Sequence, residues 1–193
     1  MKVLVACEFS GIVREAFRAK GHDAWSCDYL PTEIEGNHYQ GPVEMGLLNE
    51  GWDLMIAHSP STYLSNAGAR FLYPQGKLND DRLRLGLKAK MLFMELYTAP
   101  IDKICIENPI PSTVFGLPIY DQVIQPYYFG DTYQKKTCLW LKNLPPLVYD
   151  KPDTKPQSTK IAGNWFNKGG KERQKNRSKT FQGIANAMAD QWG

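Results

Sequence analysis

The sequence predicts an α/β fold: a doubly wound, mostly parallel sheet with helices on both faces. Three observations carry this expectation. Short runs rich in Val, Ile and Leu alternate with longer segments of helical spacing. The runs are apolar throughout rather than alternating, the pattern of strands buried on both faces. Turn-forming or polar residues follow run after run, at Gly11, Asp28, Pro60 and Pro109.

Taken in order, Lys2–Cys7 reads as the first strand and Phe9-Ser10-Gly11 as the turn after it. Ile12–Lys20 places Ile12, Val13, Ala16 and Phe17 at helical spacing and stops at Gly21. Asp23–Cys27 reads as a second strand ending at Asp28, and residues 29–42, polar with Pro and Gly, as loop. Val43–Asn49 reads as a short helix, Trp52–Ala57 as a strand and His58–Leu78 as a long loop. Asn79 is an N-cap for a helix running to about Thr98, with apolar Leu83, Leu87, Met91, Met94 and Leu96. Lys103–Ile106 reads as a strand ending at Glu107-Asn108-Pro109, and Thr137–Leu141 as another. Asp150–Lys179 has little periodicity; Thr180–Trp192, with Phe181, Ile184, Met188 and Trp192, reads as a closing helix.

At 193 residues the chain suits one domain. The expectation is a single domain over 1–193, with a basic loop at about 143–179. A composition of 42% hydrophobic and 22% charged residues excludes a disordered or fibrous chain. No apolar run approaches the roughly 18 residues of a membrane span, and the N-terminus does not read as a secretory signal, so a cytoplasmic location is expected. Cys7, Cys27, Cys105 and Cys138 form no CxxC pair, so no zinc ribbon and no metal site is expected, only buried free thiols. Charge is the uneven property. Residues 134–179 carry twelve Lys and Arg against three acids, a net +9, and the rest of the chain is −6. A polyanion partner, or a solvated lysine-rich loop, accounts for that asymmetry equally well. Trp165 and Phe166 interleave with the bases, as on a base-stacking surface.

Open α/β sheets bind ligands beyond the carboxyl ends of their strands. The first strand is followed by Glu8-Phe9-Ser10-Gly11, where a glycine turn and a helix N-terminus suit an anionic group. Asp28 ends the second strand, where a carboxylate can accept from ribose hydroxyls or simply cap a turn. His58-Ser59-Pro60-Ser61 and Glu107-Asn108-Pro109 follow two further strands. Two stiff loops with a carboxylate and an amide can hold a flat polar ring, although Asn-Pro is also a common turn initiator.

In this order these features resemble the cytosine-C5 DNA methyltransferases, most nearly the small phage-type members, over nearly the whole chain. Phe9-Ser10-Gly11 matches the family's F-S-G turn, Asp28 its second-strand acid, Pro60-Ser61 its Pro-Cys loop and Glu107-Asn108-Pro109 its E-N-x tripeptide. Gln125 through Thr137 lies where the family has a phosphate-contacting strand, and Arg177 to Ala185 where it has its last motif. The resemblance implies a Rossmann-like, class I S-adenosylmethionine-dependent methyltransferase-like fold with S-adenosylmethionine as cofactor. It implies that Phe9 stacks on adenine, that Asp28 holds the ribose, and that Ser10, Gly11 and Pro60 complete that pocket. It implies that Glu107, beside Asn108, activates a cytosine ring attacked from the Pro60-Ser61 loop. Lys135 and Lys136, with Lys171, Arg173, Lys175 and Arg177 of the basic stretch, would contact DNA or a cytosine nucleotide.

The chain departs from the family at several positions. Ser61 stands where the family has its nucleophilic cysteine, Ser59 and Gln182 where it has proline, and Pro42 where it has an acid. A hydroxyl gives no counterpart of the thiolate available near neutral pH. Residues 143–176 leave no room for a target-recognition domain. The expectation is therefore twofold: a cytosine-5 methyltransferase, or an inactive methyltransferase-fold protein that binds nucleic acid, nucleotide or a host or phage protein. Amino-group methylation is weaker, because Ser59-Pro60-Ser61-Thr62-Tyr63 lacks the second proline and places its aromatic late.

Overall fold

The computed structural model describes residues 1–150, 175, 176 and 178–193. Seven strands form one sheet: β1 (Lys2–Ala6), β2 (Asp23–Asp28), β3 (His38–Gln40), β4 (Leu54–His58), β5 (Lys103–Pro109), β6 (Gln122–Ile124) and β7 (Thr137–Lys142). Their order is β3-β2-β1-β4-β5-β7-β6. β1 pairs in parallel with β2 and β4, β2 with β3, and β4 with β5, whereas β7 runs antiparallel to both β5 and β6. This is the doubly wound, mostly parallel, Rossmann-like α/β arrangement expected from the sequence.

Strand alternation sorts the core into two layers. Leu4, Ala6, Met55, Ala57, Ile104, Ile106 and Trp140 face α5 (Asp80–Tyr97), where they pack with Phe93 and Leu96. Val3, Val5, Leu54, Ile56, Cys105 and Leu139 face the other way. There they meet Val13 and Phe17 of α1 (Ile12–Ala19) and Ile184, Met188 and Trp192 of the C-terminal helix α6 (Gln182–Trp192). Helices thus cover both faces.

The pairing lengthens or adds elements where local sequence is weak. Asp28 is the last residue of β2 rather than the residue after it, and β5 runs on through Glu107, Asn108 and Pro109 because β7 pairs with them. β4 is Leu54–His58, shifted from the expected 52–57, because His58 lies opposite Glu107. Cys7 leaves β1 with φ of 59°. β3 forms within residues 29–42, which read as loop, and β6 in a stretch to which the sequence assigns no element; each is three residues long. The expected helix at 43–49 shortens to α2 (Met45–Leu48), and the long loop after β4 contains α3 (Ser61–Leu64) and α4 (Asn66–Ala69).

Asn79 caps α5 as expected, its Oδ1 accepting from Arg82 N at 3.0 Å. The buried stripe of α5 is the expected one in part: Leu96 is buried and Leu83 and Met94 pack against the core, but Leu87 and Met91 do not. Gly86, Ala89, Phe93 and Leu96 are buried, while Leu87 and Met91 are 48% and 62% exposed. The small residues of the stripe let the helix come close to Phe115. Beyond β7, two glutamine side chains hold an irregular segment: Gln122 exchanges two 2.8 Å bonds with the backbone of Leu147, and Gln191 does the same with Val148 at 2.8 and 2.9 Å.

Candidate functional site

The carboxyl ends of β1, β2, β4 and β5 surround a cavity of about 810 Å³, within the roughly 300–1,000 Å³ usual for ligand pockets. Phe9, Asp28, Pro60, Ser61, Glu107, Lys135 and Lys175 all line it. Seven residues singled out in the sequence, spread over 166 positions from the first to the last, therefore meet at one place.

Glu107 and His58 form the floor. They are direct cross-strand neighbours, and His58 Nδ1 lies 3.2 Å from Glu107 Oε2. Thr180, just before α6, brings its hydroxyl to 3.5 Å from the same imidazole. Burial pushes the Glu107 carboxyl up, but the charge of Lys135 and hydrogen bonds from His58 and Thr137 outweigh it, and the net effect is a lowered pKa. Glu107 is thus a carboxylate at neutral pH, able to accept from an exocyclic amine at a ring edge.

Asn108 is one position along β5 and points to the opposite face, so the expected ring-edge reader is not at the cavity. It is fully buried, and its amide NH2 donates to Ser59 Oγ at 2.6 Å. It holds the loop that carries Pro60 and Ser61. Ser10 and Gly11 also serve the turn itself. The Ser10 hydroxyl donates to Glu8 at 3.1 Å, and Gly11 adopts φ of 76°, where an added Cβ would meet Arg14 Nη2 at 2.9 Å and Ile34 Cβ at 3.1 Å. The N-terminus of α1, expected to receive an anionic ligand, already has one. The buried Glu8 carboxylate accepts from Val13 N at 2.7 Å and Arg14 N at 3.2 Å. Lys136 does not line the cavity, and Lys171, Arg173 and Arg177 lie outside the described residues, as do Trp165 and Phe166.

Sequence reasoning missed three participants. Arg14, fully buried, donates to Ser26 Oγ at 3.0 Å, Thr32 Oγ1 at 3.1 Å and the Ile34 carbonyl at 2.6 Å. It fixes the 29–37 loop beside Asp28, whose Oδ1 accepts from Leu30 N at 2.9 Å. Glu33 of that loop pairs with Lys175 at 2.8 Å and Lys179 at 2.6 Å, and both ammonium groups lie over the Phe9 ring, at 5.2 and 5.9 Å. Cys7 lines the cavity although it is distant from Ser61 in sequence. Burial, with the nearby Asp28 and Cys27, pushes its thiol up to about 12. Burial likewise raises Cys27 and Cys138 to about 11 and Cys105 well above its ordinary value. All four thiols are protonated at neutral pH, so none replaces the thiolate absent at Ser61. Among the described residues no group of His, Cys, Asp or Glu is arranged to hold a metal ion, and no helix is long and apolar enough to cross a membrane.

No protein-family model matches the chain, and no curated protein matches it in sequence. Among solved structures it is similar to a candidate DNA modification methyltransferase encoded within a prophage of E. coli, at 13% identity and a TM-score of 0.42, over 72% of this chain and 45% of that one. The chain therefore spans less than half the length of that structure.

Proposed function

We propose that the chain is a cytosine-C5 methyltransferase-type protein that takes S-adenosylmethionine and a DNA cytosine into one cavity. With Ser61 in place of a thiol, it binds them without efficient methyl transfer. The observation that carries this reading is the convergence of Phe9, Asp28, Ser61 and Glu107 on that cavity. The residues fit the cofactor in kind: an aromatic ring, a carboxylate fixed at a strand end by Leu30 N, and enough volume for both ligands. Phe9 would take the adenine and Asp28 the ribose, with Pro60 closing the wall. The bound cofactor would supply an electrophilic methyl carbon. Glu107, ionised and held by His58, accepts from the cytosine amino group and orients the ring. Lys135, in the same lining, offers a charge to the backbone phosphate. A serine hydroxyl ionises far less readily than the thiol it replaces.

The test is calorimetric titration with S-adenosylmethionine, followed by transfer of a labelled methyl group to cytosine-containing DNA. Micromolar binding, lost in Phe9→Ala and Asp28→Ala, is expected. Labelled 5-methylcytosine is expected from Ser61→Cys and not from the parent chain. Absence of cofactor binding, or a Ser61→Cys variant that binds cofactor and DNA yet methylates no cytosine, overturns the proposal.

A further inference from the structure

The cavity does not end at its own rim. Phe71 and Arg82 line it and also line a second hollow of about 410 Å³, walled further by Tyr63, Pro74, Asn79 and Leu85. The chain exposes large aromatics here. Phe71 is 50% and Tyr73 54% exposed, with buried Leu72 anchoring the turn between them. Guanidinium groups flank the rings: Arg70 lies 4.6 Å from the Phe71 centroid, and Arg82 lies 5.2 Å from Phe71 and 5.1 Å from Tyr63. Arg82 is held in place, its Nη2 donating to the carbonyls of Thr62 and Gly68 at 3.0 Å each. Asp81 also lines the hollow, and its carboxylate is paired with Arg84 at 3.3 Å.

We infer that this second hollow is a subsite for the nucleotide adjacent to the one held at Glu107, and that the strand it receives is single-stranded DNA. The inference rests on the nucleic-acid reading above and extends it to a part of the surface outside the basic 134–179 stretch. Three features point the same way. The half-exposed Phe71 ring on the shared wall offers a face for stacking a base, which every base can use. Cations stand at both ends of the path: Arg70 and Arg82 from the α4–α5 side, and Lys135 from the β7 side, while Lys175 in the same lining is already paired with Glu33. Against them the first cavity's lining holds the carboxylates of Asp28 and Glu107. A backbone whose target base enters the first cavity thus meets positive charge before and after it. The shared wall of Phe71 and Arg82 places the two hollows side by side, as neighbouring nucleotides require. A splayed single strand can fill both, whereas a duplex that flips its target base into the first cavity keeps the neighbouring base stacked and away from the second.

The experiment is fluorescence anisotropy of the full chain with a labelled seven-nucleotide DNA strand containing one cytosine. A parallel strand carries 2-aminopurine next to that cytosine to report stacking. Phe71→Ala is expected to weaken binding about tenfold and to abolish the 2-aminopurine quench, and Phe71→Tyr to restore both. Arg70→Ala is expected to lower the salt dependence by about one phosphate contact. An unchanged far-UV circular dichroism spectrum and melting transition of Phe71→Ala establish that the variant is folded. If Phe71→Ala binds the strand as the parent does, with binding still lost on Lys135→Ala, the subsite is refuted and the reading of the first cavity stands. If no strand binds at low salt while the cofactor does, both the subsite and the nucleic-acid reading fall.

Discussion

Replacing Gly86 by alanine sets two effects of known size against each other. In the middle of an 18-residue helix, alanine is favoured over glycine by about 0.8–1.0 kcal/mol. The packing opposes it. An added Cβ would lie 2.6 Å from Phe115 Cε1 and 3.1 Å from Cε2, where ordinary contact begins near 3.4 Å. The closest atom is Phe115 Cζ, and Phe115 is buried on a short turn ended by Gly116 at φ of 56°, so the ring has to retreat by more than about an ångström against its own neighbours. Overpacking of this kind costs about 1–3 kcal/mol. The net expectation runs from near zero to a loss of about 2 kcal/mol, or up to roughly 8 °C in Tm for a chain of this length. Urea unfolding with unchanged slope measures it. Phe115→Leu removes the obstructing edge, so its cost is expected to shrink by at least about 1 kcal/mol in the Gly86→Ala background. A Gly86→Ala chain stabilised by the full propensity gain would refute the packing argument.

Two further outcomes follow from the site. Gly68→Ala aims its new Cβ at backbone, 3.0 Å from the Thr62 carbonyl carbon and closer still to its oxygen. It is expected to destabilise the chain by about 1–3 kcal/mol and to weaken cofactor binding by moving the wall that carries Ser61; calorimetry after a urea series checks both. Glu107 titrates lower in the folded chain than when unfolded, because Lys135, His58 and Thr137 outweigh its burial. Its contribution to stability is therefore complete above the ordinary glutamate value of 4.5 and is lost as pH falls through the lower, folded value. Glu107→Gln is expected to be less stable than the parent at pH 7, with the gap closing below about pH 4.5. A gap independent of pH would mean that the carboxylate is not stabilised in place.

The parts of the fold that were legible are those where local sequence and burial agree. The apolar runs at Val3–Val5, Leu54–Ala57 and Ile104–Ile106 are buried on both faces and read as such. β3 and β6 were not legible because three residues carry no periodicity; partner strands create them. The face of α5 was partly misread because Leu87 and Met91 outweigh Gly86 and Ala89 in any hydrophobic count, yet only small residues can approach Phe115. At the site, residues at strand ends converged, since the C-terminal edge of a parallel sheet is fixed by topology. Asn108 was misplaced because one step along a strand reverses the side chain. Glu8, Arg14 and Cys7 had no sequence signal: their roles arise from contacts with the 29–37 loop, the α1 amides and Asp28.

The length of β3 and β6 has a bearing on the protein's behaviour in concentrated solution. These are the two outermost strands of the sheet, and each is only three residues long. The runs with the strongest tendency to template cross-β association, in β1, β4 and β5, lie in the middle with both sides occupied. A molecule meeting another edge to edge finds only a brief row of open amides and carbonyls. Beside one of them, Leu147 and Val148 take their backbone bonds from the side-chain amides of Gln122 and Gln191. That stretch is tied down without becoming an eighth strand for a neighbour to extend. Among the described residues, brevity at the margins of the sheet limits edge-to-edge pairing without a barrel's closure.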